Sequence, residues 1–293
     1  MIEKKTSIIY DLHSHTSASD GLLTPIQLVH RAVTMGVHIL AITDHDTTSG
    51  LMAAKKTIQE QQLPIQLIDG VEISTLWRKY EIHIVGLGID INHPVIKAFL
   101  DKQSERRYER AQKISAALEE IKIPNVWKGV QDLAGKGLVT RAHFARYLLN
   151  LGKGSNIKQI FKKYLVEGKP GYVLPEWGSI KEAIEIIKKA EGYAVLAHPA
   201  RYGFSNRLLK VLLAYFADQG GDAMEVAQCQ QATHERTLLA QYANEYHLLA
   251  SQGSDFHHPC SWIELGRHLW LPAGSEPIWD HWNITVSQPS KMI

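Results

Sequence analysis

Short apolar runs alternate with amphipathic stretches along most of the chain. Runs at 7–12, 38–42, 65–74 and 81–89 are typical of buried strands, and helical patterns at 24–36 and 49–61 separate the first three. Thr24 before Pro25 predicts a helix start, and Gly36 predicts that helix's end. Past residue 178 the pattern predicts helices at 179–190, 205–218 and 233–246, and strands at 193–197, 223–227, 248–251 and 267–271. This order predicts a mostly parallel α/β sheet or barrel.

The strand pattern disappears between residues 95 and 168. A long charged helix is predicted to about residue 121, followed by shorter helices at 126–133, 141–149 and 157–166. We interpret residues 102–168 as an all-helical insertion. It divides the α/β unit into a first part, residues 1–101, and a second part, residues 169–293.

The composition is that of a globular chain. Of 293 residues, 45% are apolar and 21% charged, and no apolar run reaches the roughly 20 residues that span a bilayer. The first ten residues lack the apolar stretch of a secretion signal. Cys229 and Cys260 are too few for a disulfide framework and favour a reducing cytoplasm. The unusual feature is the 15 histidines.

Charge is distributed unevenly. The whole chain carries a net +2, but residues 102–169 hold 15 basic and 6 acidic residues, a net +9, so the remainder carries −7. This indicates a surface that attracts polyanions beside an acidic, cation-binding body, although a solvated lysine-rich helix face is the simpler explanation. Aromatic residues among these cations are candidates for base stacking, with core packing as their commoner use. They are Tyr108, Trp127, Phe144, Tyr147 and Tyr164.

Histidine and carboxylate residues gather at the predicted strand ends, where α/β folds place their sites. The nine candidate metal ligands are His13, His15, Asp20, His45, Glu72, His83, His198, Asp255 and His257. His13 and His15 lie two residues apart on a strand, so both imidazoles point to one face. Nine ligands exceed what one ion accepts and predict two or three metals. Imidazole and carboxylate without thiolate favour Zn²⁺, Mn²⁺ or Fe²⁺.

Each candidate also has a simpler explanation. Asp20 before Gly21 suits a turn, His198 before Pro199 suits a rigid turn, and Asp255 suits a helix cap. Nine such coincidences at strand ends are less plausible than one shared site. A multi-metal cluster binds a bridging hydroxide and clamps phosphoryl oxygens, so the pattern predicts phosphoester hydrolysis.

The segments that carry these residues resemble the signature of the PHP (polymerase and histidinol phosphatase) superfamily. They are residues 11–15 with 20–21, 43–46, 70–74, 83–86, 198–199 and 254–257. A closer resemblance is to the bacterial RNase AM group, 3′,5′-nucleoside bisphosphate phosphatases that also act as 5′-to-3′ exoribonucleases. It rests on residues 139–146, 161–165, 168–173 and 222–226.

The resemblance implies a distorted (β/α)7 barrel with three divalent ions, usually Mn²⁺, with Zn²⁺ or Fe²⁺ as alternatives. The first implied ligand set is His13, His15, Glu72 and Asp255. The second is Glu72, His83 and His198, and the third is Asp20, His45 and His257. The implied partners are nucleotides and single-stranded RNA 5′ ends, including those of ribosomal RNA, with no membrane and no obligatory protein partner.

Three further residues are candidates for substrate handling. Arg201 follows His198 closely and can bring its guanidinium to phosphate oxygens near the metals. Arg141 and His143 lie in the basic insertion, which we predict to act as a substrate cap. We expect Arg141 to bind phosphate and His143 to bind substrate and protonate the leaving oxygen, although Arg141 also suits a helix start and His143 a surface position.

Other functions stay open at this point. A histidinol-phosphate phosphatase would use the same metals, but the basic insertion argues against so lightly charged a substrate. An amidohydrolase, which cleaves C–N bonds, also opens with His-x-His but usually needs a bridging lysine where Glu72 stands here. A non-enzymatic, metal-dependent nucleic-acid-binding module is the third alternative, although such modules often lack ligands that this chain has.

Overall fold

The computed structural model describes residues 8–282, and its strands form a nearly closed barrel. The strands are β1 (Tyr10–Asp11), β2 (Ile39–Ile42), β3 (Gln66–Trp77), β4 (Tyr80–Leu87), β5 (Gly178–Ser179), β6 (Tyr193–Leu196), β7 (Ala223–Ala227) and β8 (Leu249–Gln252). They pair in the order β1-β2-β3-β4-β6-β7-β8, and β5 pairs with β3. The backbone after β1 meets the backbone after β8, where Asp255 N donates to His13 O at 2.9 Å and His15 N to Phe256 O at 2.9 Å. The mixed α/β barrel confirms the predicted fold class.

One strand departs from the predicted parallel arrangement. β4 runs antiparallel to both β3 and β6, whereas the other neighbours along the barrel are parallel. β3 and β4 form a hairpin with a two-residue turn at Arg78 and Lys79, and Arg78 adopts φ 57°. This left-handed conformation usually selects glycine or asparagine, so the sequence carried no turn signal here.

The helices agree closely with the apolar pattern. They are α1 (Pro25–Thr34), α2 (Leu51–Glu60), α3 (Pro94–Glu120), α4 (Val126–Ala134), α5 (Arg141–Asn150), α6 (Ile157–Ile160), α7 (Ile180–Lys189), α8 (Asn206–Asp218) and α9 (Thr233–Glu245). A π-helical turn, Phe161–Leu165, continues α6, and short 3₁₀ turns cover Pro199–Tyr202 and Ile278–Asp280. The strand predicted at 267–271 is wrong, because these residues form a turn and extended chain without a strand partner.

Alternate residues of the barrel strands face two different cores. On β2, Leu40 and Ile42 pack outward against the surrounding helices, whereas Ile39 and Ala41 join a smaller inner cluster. Ile278 and Trp282 belong to the same inner cluster and fill one part of the barrel interior. Since side chains alternate with a period of two, the residues that extend these inner rows lie inside the barrel.

The helical segment has an apolar core of its own. α3, α4, α5 and the π-helical turn share it, with Ile114, Val130, Phe144 and Leu165 fully or nearly buried. α3 starts before the predicted boundary at residue 102 and packs Phe99 against the outer barrel core. The division at 102 therefore falls inside one continuous helix, and the division into parts stays a prediction.

The loop after α4 touches the barrel closely. Leu138 N donates to Ala18 O at 2.9 Å. A Cβ on Gly137 would lie 2.3 Å from Ser17 O, so only glycine allows this approach. The contact fixes the helical segment beside the barrel loop that carries Asp20. Within residues 8–282 no helix combines the length and apolar character needed to cross a bilayer.

Candidate metal centre

The side chains that point into the barrel from each strand include the predicted ligands near the ends of the strands. On β3 the row passes from Ile68 through Gly70 to Glu72, and on β4 it passes from Leu87 and Val85 to His83. His83 lies near the start of β4, and because that strand is antiparallel, its start lies at the rim where the parallel strands end. Because side chains alternate with a period of two, residues of the parallel strands and of the antiparallel strand point into the same depression at this rim, here called the basin.

Glu72 lies at the centre of this basin and is fully buried. Its Oε1 is 2.9 Å from His198 Nε2 and 3.0 Å from His83 Nδ1, and its Oε2 is 2.8 Å from His45 Nδ1. His13 and His15 approach the same carboxylate, each through Nε2 at 3.4 Å. One carboxylate therefore touches five imidazoles, more than hydrogen bonding alone requires.

Two further carboxylates complete the cluster. Asp255 Oδ1 lies 3.0 Å from His15 Nε2 and 3.5 Å from His257 Nδ1. Asp20 Oδ1 lies 3.3 Å from His257 Nε2, and Asp20 Oδ2 lies 3.7 Å from His45 Nε2. The structure thus brings all nine predicted ligand residues together.

Three groups within this cluster have ligand atoms close enough to share an ion. The groups are His13, His15 and Glu72; His45, Glu72 and His83; and His15, Asp20, His45 and His257. Each group contains at least one buried carboxylate and two imidazoles. Such donor sets suit Zn²⁺, Mn²⁺ or Fe²⁺, so the cluster is able to hold metals.

Buried ligand atoms without hydrogen-bond partners support this chemistry. Among the described residues, the buried atoms His15 Nδ1, Asp20 Oδ1, His45 Nδ1 and Glu72 Oε2 form no well-aligned hydrogen bond, although His45 Nδ1 and Glu72 Oε2 lie only 2.8 Å apart. Buried polar atoms without partners are rare because each costs about 1–3 kcal/mol. A cation that the four atoms face would supply the missing interaction.

The backbone at two candidate ligands is held in an uncommon conformation. His198 has φ 32° and Asp255 has φ 53°, both in the left-handed region. Gly253 precedes Asp255, and a Cβ there would lie 2.3 Å from His13 Cβ. Strained backbone of this kind is typical of functional sites, where the side-chain direction matters more than local conformational energy.

The charge states fit a cation site. Burial raises the pKa of Glu72, Asp20 and Asp255, but the surrounding histidines, together with Arg201 at Asp255, hold each pKa well below its usual range. Burial lowers the pKa of His257, yet Asp20 and Asp255 outweigh it and raise that pKa to about 9. A metal bound through His257 must displace this proton, so metal affinity rises with pH.

The basin opens into a cavity of about 250 Å³. Asp20, His45, His83 and His257 line one side. The remaining wall is partly basic and partly apolar. It is formed by Glu81, Arg107, Arg110, Ala111, Ile114, Val139, Thr140, Arg141, Ala142, Phe144, Phe161 and Trp177.

Two of the predicted substrate residues are close to this cavity or to the ligands. Arg141 lines the cavity and forms an ion pair with Glu81 at 2.8 Å. Arg201 forms an ion pair with the candidate ligand Asp255 and remains 42% exposed. Arg141 is thus part of the cavity wall, whereas Arg201 contacts a candidate ligand from a partly exposed position.

His143 is placed differently. It is 2% exposed, is not among the residues that line the cavity, and its Nδ1 accepts the backbone N–H of Thr140 at 3.0 Å as part of a capping box of α5. Burial lowers its pKa to about 4, so the ring is neutral at pH 7. A buried, neutral, capping ring is poorly suited to protonating a leaving oxygen, and its catalytic role stays an untested prediction.

Sequence reasoning missed Glu225, which supports two candidate ligands. It lies on the inner row of β7, two residues after Ala223, and is 2% exposed. Its Oε1 accepts from His13 Nδ1 at 2.6 Å, and its Oε2 accepts from His198 N at 2.7 Å. A glutamate within the otherwise apolar strand Ala223–Ala227 was the available signal.

A second missed group connects α3 to the basin. Asp46 is fully buried and accepts from Arg107 Nε at 2.6 Å, from Gln103 Nε2 at 3.1 Å and from Ser74 N at 2.9 Å. Arg107 also donates to Ser74 Oγ at 2.6 Å. The residue after His45 is thus tied to both β3 and the helical segment.

Comparison with known proteins agrees with this geometry. The family model described as PHP domain matches residues 11–259. This chain belongs to the PHP domain family. The match covers every residue of the candidate metal cluster, from His13 to His257.

Two relatives in the family cover nearly the whole chain. The 5′-3′ exoribonuclease Rnm of Escherichia coli (strain K12) is 58% identical over 282 residues, which is 96% of each chain. The 3′,5′-nucleoside bisphosphate phosphatase of Chromobacterium violaceum is 37% identical over 96% of this chain and 98% of its own. These PHP relatives are named as hydrolases of phosphate esters.

Solved structures with similar folds include a Chromobacterium violaceum protein described as an amidohydrolase with bound sulfate and no metal. It has a TM-score of 0.87 and 38% identity, covering 92% of this chain and 94% of that one. A proposed metal-dependent phosphoesterase of Bifidobacterium adolescentis has a TM-score of 0.79 and 27% identity, covering 90% and 93%. The fold is therefore that of the PHP phosphoesterases.

Proposed function

We propose that this protein is a metal-dependent phosphoesterase with two related substrates. It removes the 3′-phosphate from nucleoside 3′,5′-bisphosphates, and it releases nucleotides from 5′-phosphorylated RNA ends, those of ribosomal RNA included, in the 5′-to-3′ direction. The observation that carries the proposal is the convergence of nine imidazole and carboxylate residues, four of which line a cavity that also contains arginines. The names of the relatives give the proposal its substrates.

A single reaction accounts for both substrates. Water oxygen bonds to the phosphorus attached to the 3′-oxygen, and the P–O3′ bond breaks, with its electron pair and a proton going to the 3′-oxygen. From a bisphosphate the products are a nucleoside 5′-monophosphate and inorganic phosphate. From RNA they are the same monophosphate and a strand shortened by one nucleotide that carries a new 5′-phosphate. A bisphosphate is thus the RNA substrate with nothing beyond the scissile phosphate.

We propose that the cluster holds three divalent ions, foremost Mn²⁺. Glu72 would be shared between two ions, with His13, His15 and Asp255 on one side and His83 and His198 on the other. The third ion would be held by Asp20, His45 and His257. Bound divalent ions lower the pKa of water and neutralise charge on phosphoryl oxygens.

The residues of the cavity wall would bind and orient the nucleotide. Arg141 and Arg110 would bind phosphate through their planar, fixed donors. Phe144 and Phe161 belong to the apolar part of the wall, which excludes water and can hold a base. Arg201 would orient Asp255 and contact the scissile phosphate. Residues 102–168 then act as a basic substrate cap.

The arginines favour phosphate esters over the neutral amides that an amidohydrolase would cleave. The centre of the cluster is the carboxylate of Glu72, whereas that chemistry usually uses a bridging lysine. Cys229 and Cys260 are both free thiols, which supports our placement of the protein in the reducing cytoplasm.

The test uses the Mn²⁺-loaded protein on four substrates. We expect phosphate release from 3′-phosphoadenosine 5′-phosphate and mononucleotides from a 5′-phosphorylated oligoribonucleotide, with little reaction on histidinol phosphate and none on a cyclic amide. Glu72→Gln should lose both activities and metal binding, whereas Glu176→Gln, a change of an exposed carboxylate, should keep them. Cleavage of the amide alone, or equal activity of Glu72→Gln and wild type, would refute the proposal.

A further inference from the structure

A second cavity of about 180 Å³ adjoins the first. Arg107 and Val139 line both cavities, so the two are neighbours in the structure. The second lies between α3, α4 and the loop after α4, and that loop contacts the barrel backbone close to Asp20 through Gly137 and Leu138. It is therefore near the candidate metal centre, although no candidate metal ligand lines it.

The volume of the first cavity limits how many nucleotides it can hold. Pockets that take a drug-sized ligand measure about 300–1,000 Å³, so a cavity of about 250 Å³ holds a single nucleoside and not two. A bisphosphate substrate needs no further binding site than this cavity and the metal centre. RNA continues beyond the scissile phosphate, and its second nucleotide needs another place.

Two aromatic residues of the second cavity form a surface suited to a base. Tyr108 is 53% exposed, which is unusual for a large aromatic side chain, and its ring stands at 83° to that of Trp127 with centroids 5.4 Å apart. Gln112 Nε2 donates to the Tyr108 hydroxyl at 3.0 Å and holds the ring. Perpendicular rings form a corner in which a flat base can stack on one ring while its edge meets the other.

The charge around this corner suits an RNA strand. Lys136 lies in the loop between the lining residues Gly135 and Gly137, is exposed, and forms no ion pair with a carboxylate among the described residues. RNA-binding proteins combine stacking aromatics with cations that meet the backbone, and stacking is tolerant of base identity.

We propose that this corner binds the second nucleotide of an RNA substrate, with its base stacked on Tyr108 and the edge of the base against Trp127. The proposal rests on the exoribonuclease activity proposed above and assigns it a subsite that bisphosphate hydrolysis does not use. Tyr108 is thus a residue that selects RNA over a mononucleotide. It takes no part in bond breaking.

The test compares Tyr108→Ala with wild type on three substrates in the Mn²⁺-loaded protein. These are 3′-phosphoadenosine 5′-phosphate, a 5′-phosphorylated oligoribonucleotide, and the same oligonucleotide with an abasic second residue. For RNA, release of the first nucleotide is measured in a single turnover. Tyr108→Ala should lose about 5- to 150-fold on normal RNA, the range of stacking one base, and should stay within twofold of wild type on the bisphosphate.

The abasic substrate makes the test specific. Wild type should lose a similar factor when the second base is removed, and Tyr108→Ala should lose nothing further, because base and ring act through one contact. Tyr108→Phe, which keeps the ring, and Leu133→Ala, an exposed apolar residue of α4 outside the cavity, should resemble wild type.

The outcomes separate the two proposals. If wild type cleaves neither phosphate substrate, the proposed function fails. If wild type cleaves both substrates, three results would refute only the second-nucleotide subsite. Tyr108→Ala could slow cleavage of RNA and of the bisphosphate equally, or it could slow neither. Its effect on RNA cleavage could also multiply with the effect of removing the second base.

Discussion

Substitution of Glu225 would perturb the candidate metal centre directly, because Glu225 contacts two candidate ligands and lines neither cavity. Its two oxygens accept from His13 Nδ1 and from the backbone N–H of His198, and the first contact leaves His13 Nε2 facing Glu72. A carboxylate on the far nitrogen of a histidine ligand fixes the ring orientation and raises its basicity. Glu225→Gln keeps the shape but replaces one acceptor oxygen with a donor.

The size of the effect follows from the hydrogen bonds. The carboxylate of Glu225 accepts from His13 Nδ1 through Oε1, and from His198 N and Gln228 Nε2 through Oε2. Because all three partners are donors, glutamine keeps an acceptor oxygen on one side only and sets its NH₂ group against a donor on the other. A hydrogen bond to a charged group contributes about 1.5–3 kcal/mol, which corresponds to roughly 10- to 150-fold. Loss of a carboxylate behind a histidine ligand typically costs about 10–100-fold in metal affinity or activity. We therefore expect Mn²⁺ affinity to fall by about 10- to 100-fold.

Titration calorimetry of the metal-free protein with Mn²⁺ measures this change directly. Raising the metal concentration by the same factor should restore most of kcat/KM, since the nine candidate ligands are intact. Glu264→Gln is the matched control, because Glu264 pairs with Arg31 away from the cluster, and it should leave Mn²⁺ affinity unchanged. Equal affinity of Glu225→Gln and wild type, within about twofold, would refute the positioning role.

Three further predictions concern the cavity, the helical segment and the thiols. Arg141→Ala should lower kcat/KM on RNA about tenfold and reduce the slope of log kcat/KM against log salt by about 1, because one phosphate contact is lost. Asp46→Ala leaves Arg107, which is 9% exposed, without its partner. Urea unfolding should therefore show that the free energy of unfolding falls by about 3–5 kcal/mol. The control Glu176→Gln, in the exposed pair with Lys113, should lower it by less than about 1 kcal/mol. Burial raises the pKa of the Cys229 thiol from 9.0 to about 11, so mass spectrometry after iodoacetamide treatment at pH 8 should find Cys260 alkylated first. The proton on Cys229 also stabilises the fold below pH 9, and this contribution should disappear as the pH rises through 11. Faster labelling of Cys229 than of Cys260 would contradict the raised thiol pKa on which both predictions rest.

Most helices and strands, and the convergence of the nine candidate ligands, could be predicted because both depend on short periods. Apolar runs with a period of two or 3.6 residues identify strands and helices locally, and Thr24 caps α1 as expected, its side chain accepting from Gln27 N. The candidate ligands were recognisable because parallel strands end at one rim, so residues distant in sequence, such as His13 and Asp255, had to meet there.

What the sequence did not predict depends on unusual backbone or on contacts between distant segments. The hairpin between β3 and β4 turns on Arg78 at a positive φ, without a glycine or asparagine to mark it. The strand predicted at 267–271 failed because an apolar run needs a neighbouring strand, and Trp270 instead packs under Arg236. Glu225 looked like an isolated charge, since the two candidate ligands that it contacts lie 27 and 212 residues away.

The charges in the wall of the first cavity suggest a reason why a 5′-phosphate on the substrate would strengthen binding. Arg107 is neutralised by Asp46, whereas Arg110 and Arg141 share the single carboxylate of Glu81, at 3.3 Å and 2.8 Å. Burial raises the pKa of Glu81, but the two arginines and His83 outweigh it and keep it ionised. Two guanidinium groups on one carboxylate leave one positive charge uncompensated in a partly apolar wall, where attraction is stronger than in water. Under the proposed function, a 5′-phosphate would satisfy that charge and a 5′-hydroxyl would not. We therefore propose that the wall selects phosphorylated ends, while the candidate metal centre would act on the 3′ side of the same nucleotide.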